Sequence, residues 1–216
     1  MADQNDFTEP LSRRKREKAR HRREIMDIAI TVFSEKGYHA ATLDEIAQKA
    51  EFSKGALYLY FQNKEDILFM ILKESLEQHN IRVREIVSGN QSFREELRAL
   101  FYHTAEDLFR EPGLFALITT ERVSLYKAMS QENRNELLML SNQLWTHLEK
   151  RIAQAIERKE IRDFGVEAMI GLIRGATSSM IYDRWNSNTI EELKSGIDLF
   201  IDMIFNGIVY RKTERE

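Results

Sequence analysis

Residues 42–68, TLDEIAQKAEFSKGALYLYFQNKEDIL, carry the signals of two short helices in close succession. Thr42, with Glu45 three positions later, predicts a capping box, in which both side chains satisfy free N–H groups at the start of a helix. Ser53 predicts the N-cap of a second short helix that runs to about Phe61. Because only a few residues separate the two helices, the segment predicts a helix-turn-helix.

Longer helices are predicted on both sides of this segment. From Ser12 onward, apolar residues recur at the three- and four-residue spacing of one helix face, and Gly37 predicts a left-handed C-cap. Asn63, with Asp66 three positions later, predicts the start of the next helix. Residues 12–63 are therefore predicted to form a three-helix domain, preceded by a disordered tail over residues 1–11.

The remainder of the chain predicts six longer amphipathic helices. They are expected at roughly 64–87, 91–110, 113–128, 131–159, 164–186 and 189–210, the last one starting with a second capping box at Thr189. There are two prolines, and β-branched residues rarely alternate. The prediction is an all-α fold of about nine helices, in which residues 64–216 form a larger helical bundle.

Composition excludes several kinds of site. The 216 residues include no cysteine, so disulfides and thiolate metal sites are excluded. The five histidines never recur at the spacing of three to five residues that a helical metal site uses, so neither a metal site nor a cofactor is predicted. No apolar run approaches about 18 residues, and the N-terminus lacks a signal-peptide core. These features predict a cytoplasmic protein without membrane segments.

The net charge of −3 conceals an asymmetry. Residues 11–64 carry twelve basic and seven acidic residues, a net charge of +5, whereas residues 65–216 carry −5. A basic N-terminal quarter predicts a polyanion-binding surface. On charge alone, a solvated basic helix is an equal alternative.

The second helix of the predicted helix-turn-helix has an outer face suited to DNA. Such a helix enters the major groove with its N-terminal residues nearest the base edges. Leu57 and Phe61 are four residues apart and would share the inner face. Gly55 would let the backbone lie close to DNA, Lys54 could donate to a guanine or a phosphate, and Ala56 could contact a thymine methyl group.

Phosphate contacts are predicted around this helix. Tyr58 and Tyr60 could donate their hydroxyls to phosphates, while Thr42 and Lys64 lie at predicted helix N-termini, which favour phosphate. The basic run that begins with Arg13 could follow the backbone or enter the minor groove.

Residues 42–68 resemble the DNA-binding signature of TetR-family transcriptional regulators. The shared features are the Ile-Ala pair, the Ser-Lys-Gly start of the second helix, the Tyr-x-Tyr-Phe run and the following Asn-Lys-Glu; FSEKGYHAAT before them matches as well. The match extends over about residues 24–70. The predicted DNA-binding residues are Arg13, Arg14, Thr42, Ser53, Lys54, Gly55, Ala56, Tyr58, Leu59, Tyr60 and Lys64.

One position departs from the family pattern. The family usually has glycine in the turn where this chain has Glu51. Because that turn needs a positive φ, we expect the glutamate to add about 1 kcal/mol of strain. It also places an acid near the DNA-facing turn.

The resemblance also implies a homodimer formed by the last two long helices. Small residues of the first of these helices and an apolar stripe of the second are the predicted dimerisation residues: Gly171, Gly175, Ile197, Phe200, Ile201, Ile204 and Phe205. The alternative is that both stripes belong to the core of a single chain.

A small and largely apolar effector is implied in the same way. It would bind the helical body and release DNA by favouring another conformation. The candidate lining residues are Phe101, Tyr102, His103, Phe115, Ile118, Arg122, Tyr126, Trp145, Met169 and Met180. Aromatic residues and methionines at helical spacing are more often core, and that alternative stays open.

The sequence thus predicts a DNA-binding transcriptional regulator, foremost a homodimeric repressor of a near-palindromic operator on double-stranded DNA. A nucleoid-associated location in a bacterial cell goes with that function. A transcriptional activator and a ligand-independent architectural protein remain as alternatives. An enzyme is not predicted, because no glycine-rich phosphate loop, G-x-S-x-G or recognisable catalytic constellation is present.

Overall fold

The computed structural model describes residues 13–183 and 189–207, without the side chains of residues 116, 118–124 and 181–183. Within these residues the chain is all-α, as predicted, and contains no strand. The described helices are α1 (Arg13–Lys36), α2 (Leu43–Lys49), α3 (Lys54–Leu57), α4 (Lys64–Ile86), α5 (Phe93–Arg110), α6 (Pro112–Ala128), α7 (Gln131–Glu157), α8 (Val166–Asp183) and α9 (Ile190–Asn206). No described helix is long and apolar enough to cross a membrane.

Local capping determines where several helices begin. The two predicted capping boxes, at Thr42 and Thr189, are both present, and a third occurs at Ser92. In each box the cap side chain accepts the N–H of a glutamate three residues on, and that glutamate accepts the cap N–H in return.

α3 is shorter than predicted. It ends at Leu57, whereas the prediction extended it to about Phe61. The N–H groups of Leu59 and Tyr60 donate to the carbonyls three residues earlier, those of Ala56 and Leu57. This tighter hydrogen bonding turns the chain immediately after the helix, so the predicted last turn of α3 is wrong.

The chain divides into two compact units, Met1–Ile71 and Leu72–Glu216, of which the first is described from Arg13. The division falls inside α4, whereas the sequence suggested a boundary between residues 63 and 64. The first unit has a small apolar core drawn from α1, α2, α3 and the start of α4: Ile25, Met26, Ala29, Val32, Phe33, Tyr38, Ala41, Ile46, Ala47, Leu57, Phe61, Ile67, Leu68 and Ile71.

In the second unit, α5 packs against α6, α7, α8 and α9. Its core combines aliphatic residues with Phe93 and Phe101, and it also encloses a buried ion pair. Arg151 on α7 donates from Nε to Glu96 on α5 over 2.5 Å, and both side chains are almost completely buried. Glu160, just after α7, accepts from the same guanidinium over 3.0 Å.

The turn after α2 has the strained backbone predicted for Glu51. This residue has φ = 60°, and its N–H donates to Gln48 while that of Phe52 donates to Ala47. These two hydrogen bonds form a Schellman motif, whose left-handed position favours glycine. Lys159 ends α7 in the same way, with φ = 59°.

We expect Glu51→Gly to raise the free energy of unfolding by about 0.5–1 kcal/mol. The free energy gained by relief of left-handed strain exceeds the free energy lost because glycine gives the unfolded chain more conformational entropy. Urea denaturation followed by circular dichroism measures the change. Glu51→Ala is the matched control because it removes the carboxylate but keeps Cβ, and an equal gain in that variant would contradict backbone strain as the cause.

Candidate nucleic-acid interface

α3 has one buried and one exposed face. Leu57 and Phe61 are buried in the first unit, as the sequence predicted. Tyr58 is 46% exposed and Leu59 is 75% exposed, although both are large and apolar or aromatic. Two such side chains beside each other, directly after a short helix, are unusual on a solvated surface and indicate a contact surface.

Lys54 and Gly55 extend this exposed face to the start of α3. A Cβ added to Gly55 would meet no atom within 4 Å, so the glycine is not required by packing inside the chain. Lys54 Nζ lies 2.8 Å from an oxygen of Asp44. That contact raises the pKa of Lys54, so the side chain stays cationic. Because both partners are exposed, the ion pair contributes little to stability and the lysine can exchange its partner for a phosphate or a base.

Tyr60 has an internal partner. Its hydroxyl lies 2.9 Å from Nδ1 of His21, and its ring contacts Phe52 edge to face. His21 also contacts Phe52, so the three rings join α1, the turn before α3 and the turn after it. This hydrogen bond uses only part of the hydroxyl's capacity to donate and accept, so the phosphate contact by Tyr60 stays a prediction. His21 was not predicted, because no sequence pattern connects residues 39 positions apart.

Lys64 is also turned inward. Its Nζ donates to three backbone carbonyls, those of Tyr38 at 2.6 Å, His39 at 3.0 Å and Ala41 at 2.8 Å. The ammonium also lies 4.6 Å from the centre of the Tyr38 ring. An ammonium has three donors, and all three hold the α1–α2 loop, so Lys64 stabilises this loop, and its phosphate contact at the start of α4 stays a prediction.

The remaining predicted contacts lie at the surface. Thr42 and Ser53 cap α2 and α3 with their hydroxyls, and Ala56 supplies the N–H that Ser53 accepts. Arg13 and Arg14 are exposed and belong to α1, so the basic run is helical at these positions and not an extended arm. The whole stretch from residue 13 to residue 20 is exposed.

Comparison with known proteins identifies the N-terminal segment. Residues 25–71 match the profile of the bacterial regulatory proteins, tetR family. The fatty acid metabolism regulator protein of Bacillus subtilis (strain 168) is 37% identical over 115 residues, which are 53% of this chain and 59% of that protein. The chain is therefore similar to TetR-family regulators over its N-terminal segment. Its alignments cover less than two thirds of the length of that relative and of the next two curated ones, at 30% and 41%.

Two solved structures share the fold over most of the chain. FadR from Bacillus subtilis, in complex with stearoyl-CoA, has a TM-score of 0.71 and 23% identity and covers 87% of this chain and 99% of its own. AibR, in complex with isovaleryl coenzyme A and operator DNA, has a TM-score of 0.68 and 22% identity, with coverage of 86% and 98%.

The predicted effector residues do not share one environment. Phe101, Met169 and Met180 are core residues, while Tyr102, Phe115 and Trp145 are partly buried against the same core. Tyr126 is 47% exposed, and the side chains of Ile118 and Arg122 lie outside the described residues. His103 lies apart from this group, beside His79 and Asp107. Six of the ten candidates therefore surround one core, without a described cavity among them.

Two of the predicted dimerisation residues on α9 are not accessible to a second chain. Ile197 and Ile201 are buried in the core of the single chain, and the flanking aromatic and aliphatic residues Phe200, Ile204 and Phe205 pack on that core. Their face is occupied because α9 packs on α5. The opposite face of α9 exposes Leu199, at 64%, and Met203, at 42%.

The predicted dimerisation residues of α8 are accessible at the surface of the single chain. Gly171 and Gly175 are exposed, and an added Cβ at either would meet no atom within 4 Å. Leu172 beside them is 41% exposed.

Proposed function

We propose that this chain is a transcriptional regulator of the TetR family that binds operator DNA through the exposed face of α3 and of the turn after it, foremost as a repressor. The observation that carries the proposal is the exposed surface of Lys54, Gly55, Tyr58 and Leu59, on a helix and a following turn whose other side is anchored in the core. Such a helix can enter the major groove without loss of its packing.

The internal contacts of Tyr60 and Lys64 support DNA binding indirectly. Tyr60 ties the end of α3 to α1 through His21, and Lys64 closes the loop between α1 and α2. Contacts to base edges require a recognition helix held at a defined angle, and rigid neighbours provide that. We therefore assign Tyr60 and Lys64 positioning roles, and the direct contacts to Lys54, Gly55, Ala56, Tyr58 and Leu59.

We expect Lys54→Ala and Tyr58→Ala each to weaken operator binding by about 1–3 kcal/mol while the chain stays folded. The operator for this test is selected from a random duplex pool with the wild-type protein, and affinity is measured by gel shift at fixed salt. Lys49→Ala is the matched control, because Lys49 makes an equivalent exposed ion pair, with Glu35 at 2.7 Å, on the neighbouring helix. Unchanged affinity in both α3 variants would refute this docking.

The same selection separates the alternatives. Selection with a regulator should enrich one short near-palindrome, whereas selection with an architectural protein should enrich no particular sequence. Repression and activation differ in the position of that site relative to a promoter, which transcription assays with the selected site determine.

For the dimer we propose a face made of exposed residues of α8 and α9. Gly171, Leu172 and Gly175 form its α8 part, and Leu199 and Met203 form its α9 part. The glycines permit close helix approach, and the apolar side chains supply area to bury. A two-fold dimer of this kind would present two α3 helices to the half-sites of a palindrome.

We expect Leu199→Glu to convert the dimer to monomer in sedimentation equilibrium. Because the interface is two-fold, one substitution places two charges in its apolar centre, and neither has a partner there. Leu138→Glu is the control, since Leu138 is 45% exposed on α7, a helix that contributes no residue to the proposed face. A wild-type protein that is monomeric at all concentrations, or an Leu199→Glu variant that remains dimeric, would overturn the proposed face.

The effector is proposed to be an acyl-CoA. This class is suggested by the bound ligands of FadR and AibR. In this chain a cavity of about 310 Å³ is lined by the basic or polar residues Arg84, His147, Lys150, Arg151 and Gln154, together with Val87 and Ser88. Basic donors of this kind suit the phosphates of CoA. Operator release in the gel shift by palmitoyl-CoA, but not by palmitate or free CoA, is the expected result, and no release by any acyl-CoA chain length would contradict it.

A further inference from the structure

Two histidines and an aspartate meet in the second unit, between α4 and α5. His79 on α4 stacks on His103 of α5, with ring centres 5.3 Å apart and an angle of 18° between the planes. Asp107, one turn after His103, places Oδ2 3.2 Å from Nε2 of His103 and 3.7 Å from Nδ1 of His79. One potential ligand atom from each residue lies within 4.8 Å of the other two.

The contacts inside this cluster leave His103 unsatisfied. Its Nε2 is buried and has no hydrogen-bond partner, although the Asp107 carboxylate is within ion-pair distance. A buried nitrogen without a partner costs free energy unless something else binds it. Packing alone therefore does not account for this arrangement.

The distances fit a small divalent cation. A tetrahedral ion with ligand bonds of about 2.0–2.1 Å separates its ligand atoms by about 3.4 Å. The two measured separations, 3.2 and 3.7 Å, lie on either side of that value. Convergence of the stacked rings on one ion requires rotation of an imidazole about its Cβ–Cγ bond, which is a soft torsion.

We propose that His79, His103 and Asp107 bind one Zn²⁺ ion, with a fourth position left for water. Two imidazoles and a carboxylate are a ligand set of the kind that zinc uses with an open fourth site. The ion would connect α4 to α5 through three side chains of the same unit.

The protonation states at neutral pH suit such a ligand set. Burial lowers the pKa of His103, against the opposing effect of Asp107, so its imidazole is neutral. The pKa of Asp107 is also lowered: burial opposes this, but the neighbouring His79 and the positive charge of Arg110 outweigh it, so the carboxylate is ionised. A metal ion needs both forms. Arg110 contacts the other oxygen of Asp107 at 3.0 Å, which leaves Oδ2 for the ion.

No sequence pattern predicted this site. His79 and His103 are 24 positions apart on different helices, so the test of histidine spacing within one helix could not find them. The prediction of no metal site rested on that spacing alone.

The test uses the full-length protein after dialysis against a chelator. Isothermal titration with Zn²⁺ should give one site per chain, and Co²⁺ should give the visible absorption bands of a low-symmetry site. His103→Ala and His79→Ala should each weaken Zn²⁺ binding by at least about tenfold, since even loss of a residue that only orients a ligand costs 10–100-fold. His147→Ala, a histidine of the same unit outside the cluster, should bind as the wild type does.

Three outcomes would overturn the proposal: no Zn²⁺ binding by the wild type, unchanged binding by both cluster variants, or equal loss in His147→Ala. Circular dichroism of each variant verifies folding, and His79, which is more exposed than His103, gives a second variant should His103→Ala unfold.

Discussion

Replacing Leu57 by alanine is expected to lower the free energy of unfolding by about 2–5 kcal/mol. Leu57 is fully buried and is the buried residue of α3, a helix of only four residues. A helix this short has almost no stability of its own, so its position depends on that side chain. The cavity left by the truncation adds to the lost burial of apolar surface.

Urea denaturation followed by circular dichroism measures the loss, and amide hydrogen exchange over residues 43–61 locates it. Leu59→Ala is the control. It removes the same atoms two residues away from a side chain that is 75% exposed, and its effect on stability should stay within about 0.5 kcal/mol. Equal effects of the two substitutions would mean that α3 is not anchored by Leu57. Operator binding should fall in both variants. Leu57→Ala loses the position of α3, and Leu59→Ala loses contact surface.

Arg151→Met is expected to lower the free energy of unfolding by about 3–5 kcal/mol. The guanidinium donates to Glu96, Glu160 and the carbonyl of Gln91, and it lies 5.3 Å from the centre of the Phe93 ring. Methionine fills much of the same volume, but it leaves the Glu96 carboxylate buried, at 1% exposure, with only the N–H of Gly89 as a partner. An unpaired buried charge accounts for most of the loss.

Two further variants make this explanation testable. Arg158→Met removes a half-exposed arginine 3.9 Å from Glu160, and it should change stability by less than about 1 kcal/mol. The double substitution Glu96→Gln/Arg151→Met should recover part of the loss, because neither buried charge is then present. A double variant less stable than Arg151→Met would show that packing, not charge, explains the effect.

The same network gives a pH dependence. The hydrogen bond from Arg151 lowers the pKa of Glu160, against a smaller opposing effect of burial. A carboxylate with a lowered pKa contributes stability that is fully present above its unfolded pKa of about 4.3 and is lost as pH falls through the folded value. Wild-type stability should therefore fall more steeply below about pH 4.3 than that of Arg151→Met, which has already lost this contribution.

Local signals in the sequence predicted much of the first unit. The cap at Thr42, the C-terminal turn at Gly37, the buried pair Leu57 and Phe61, and the left-handed backbone at Glu51 all agree with the structure. Each depends on residues within about four positions of each other, where backbone geometry limits the possibilities. The family followed from the same short segment.

Local signals could not identify the partners of residues that are far apart in the sequence. The hydroxyl of Tyr60 and the amine of Lys64 are polar groups that suit a phosphate, a histidine or a carbonyl equally well. The structure assigns the first to His21 and the second to the loop before α2. On α9, a strong apolar stripe predicted a buried face, but the stripe alone did not show whether α5 or a second chain covers it.

The sequence by itself determined the helices, their caps, the TetR-family segment and the chemical character of α3, because these follow from neighbouring residues and helical periodicity. Only the tertiary structure decided which polar groups are used internally, which face of α9 is free, and that His79, His103 and Asp107 meet. Those outcomes depend on the packing of helices far apart in the chain, and periodicity indicates which face is buried without naming its partner.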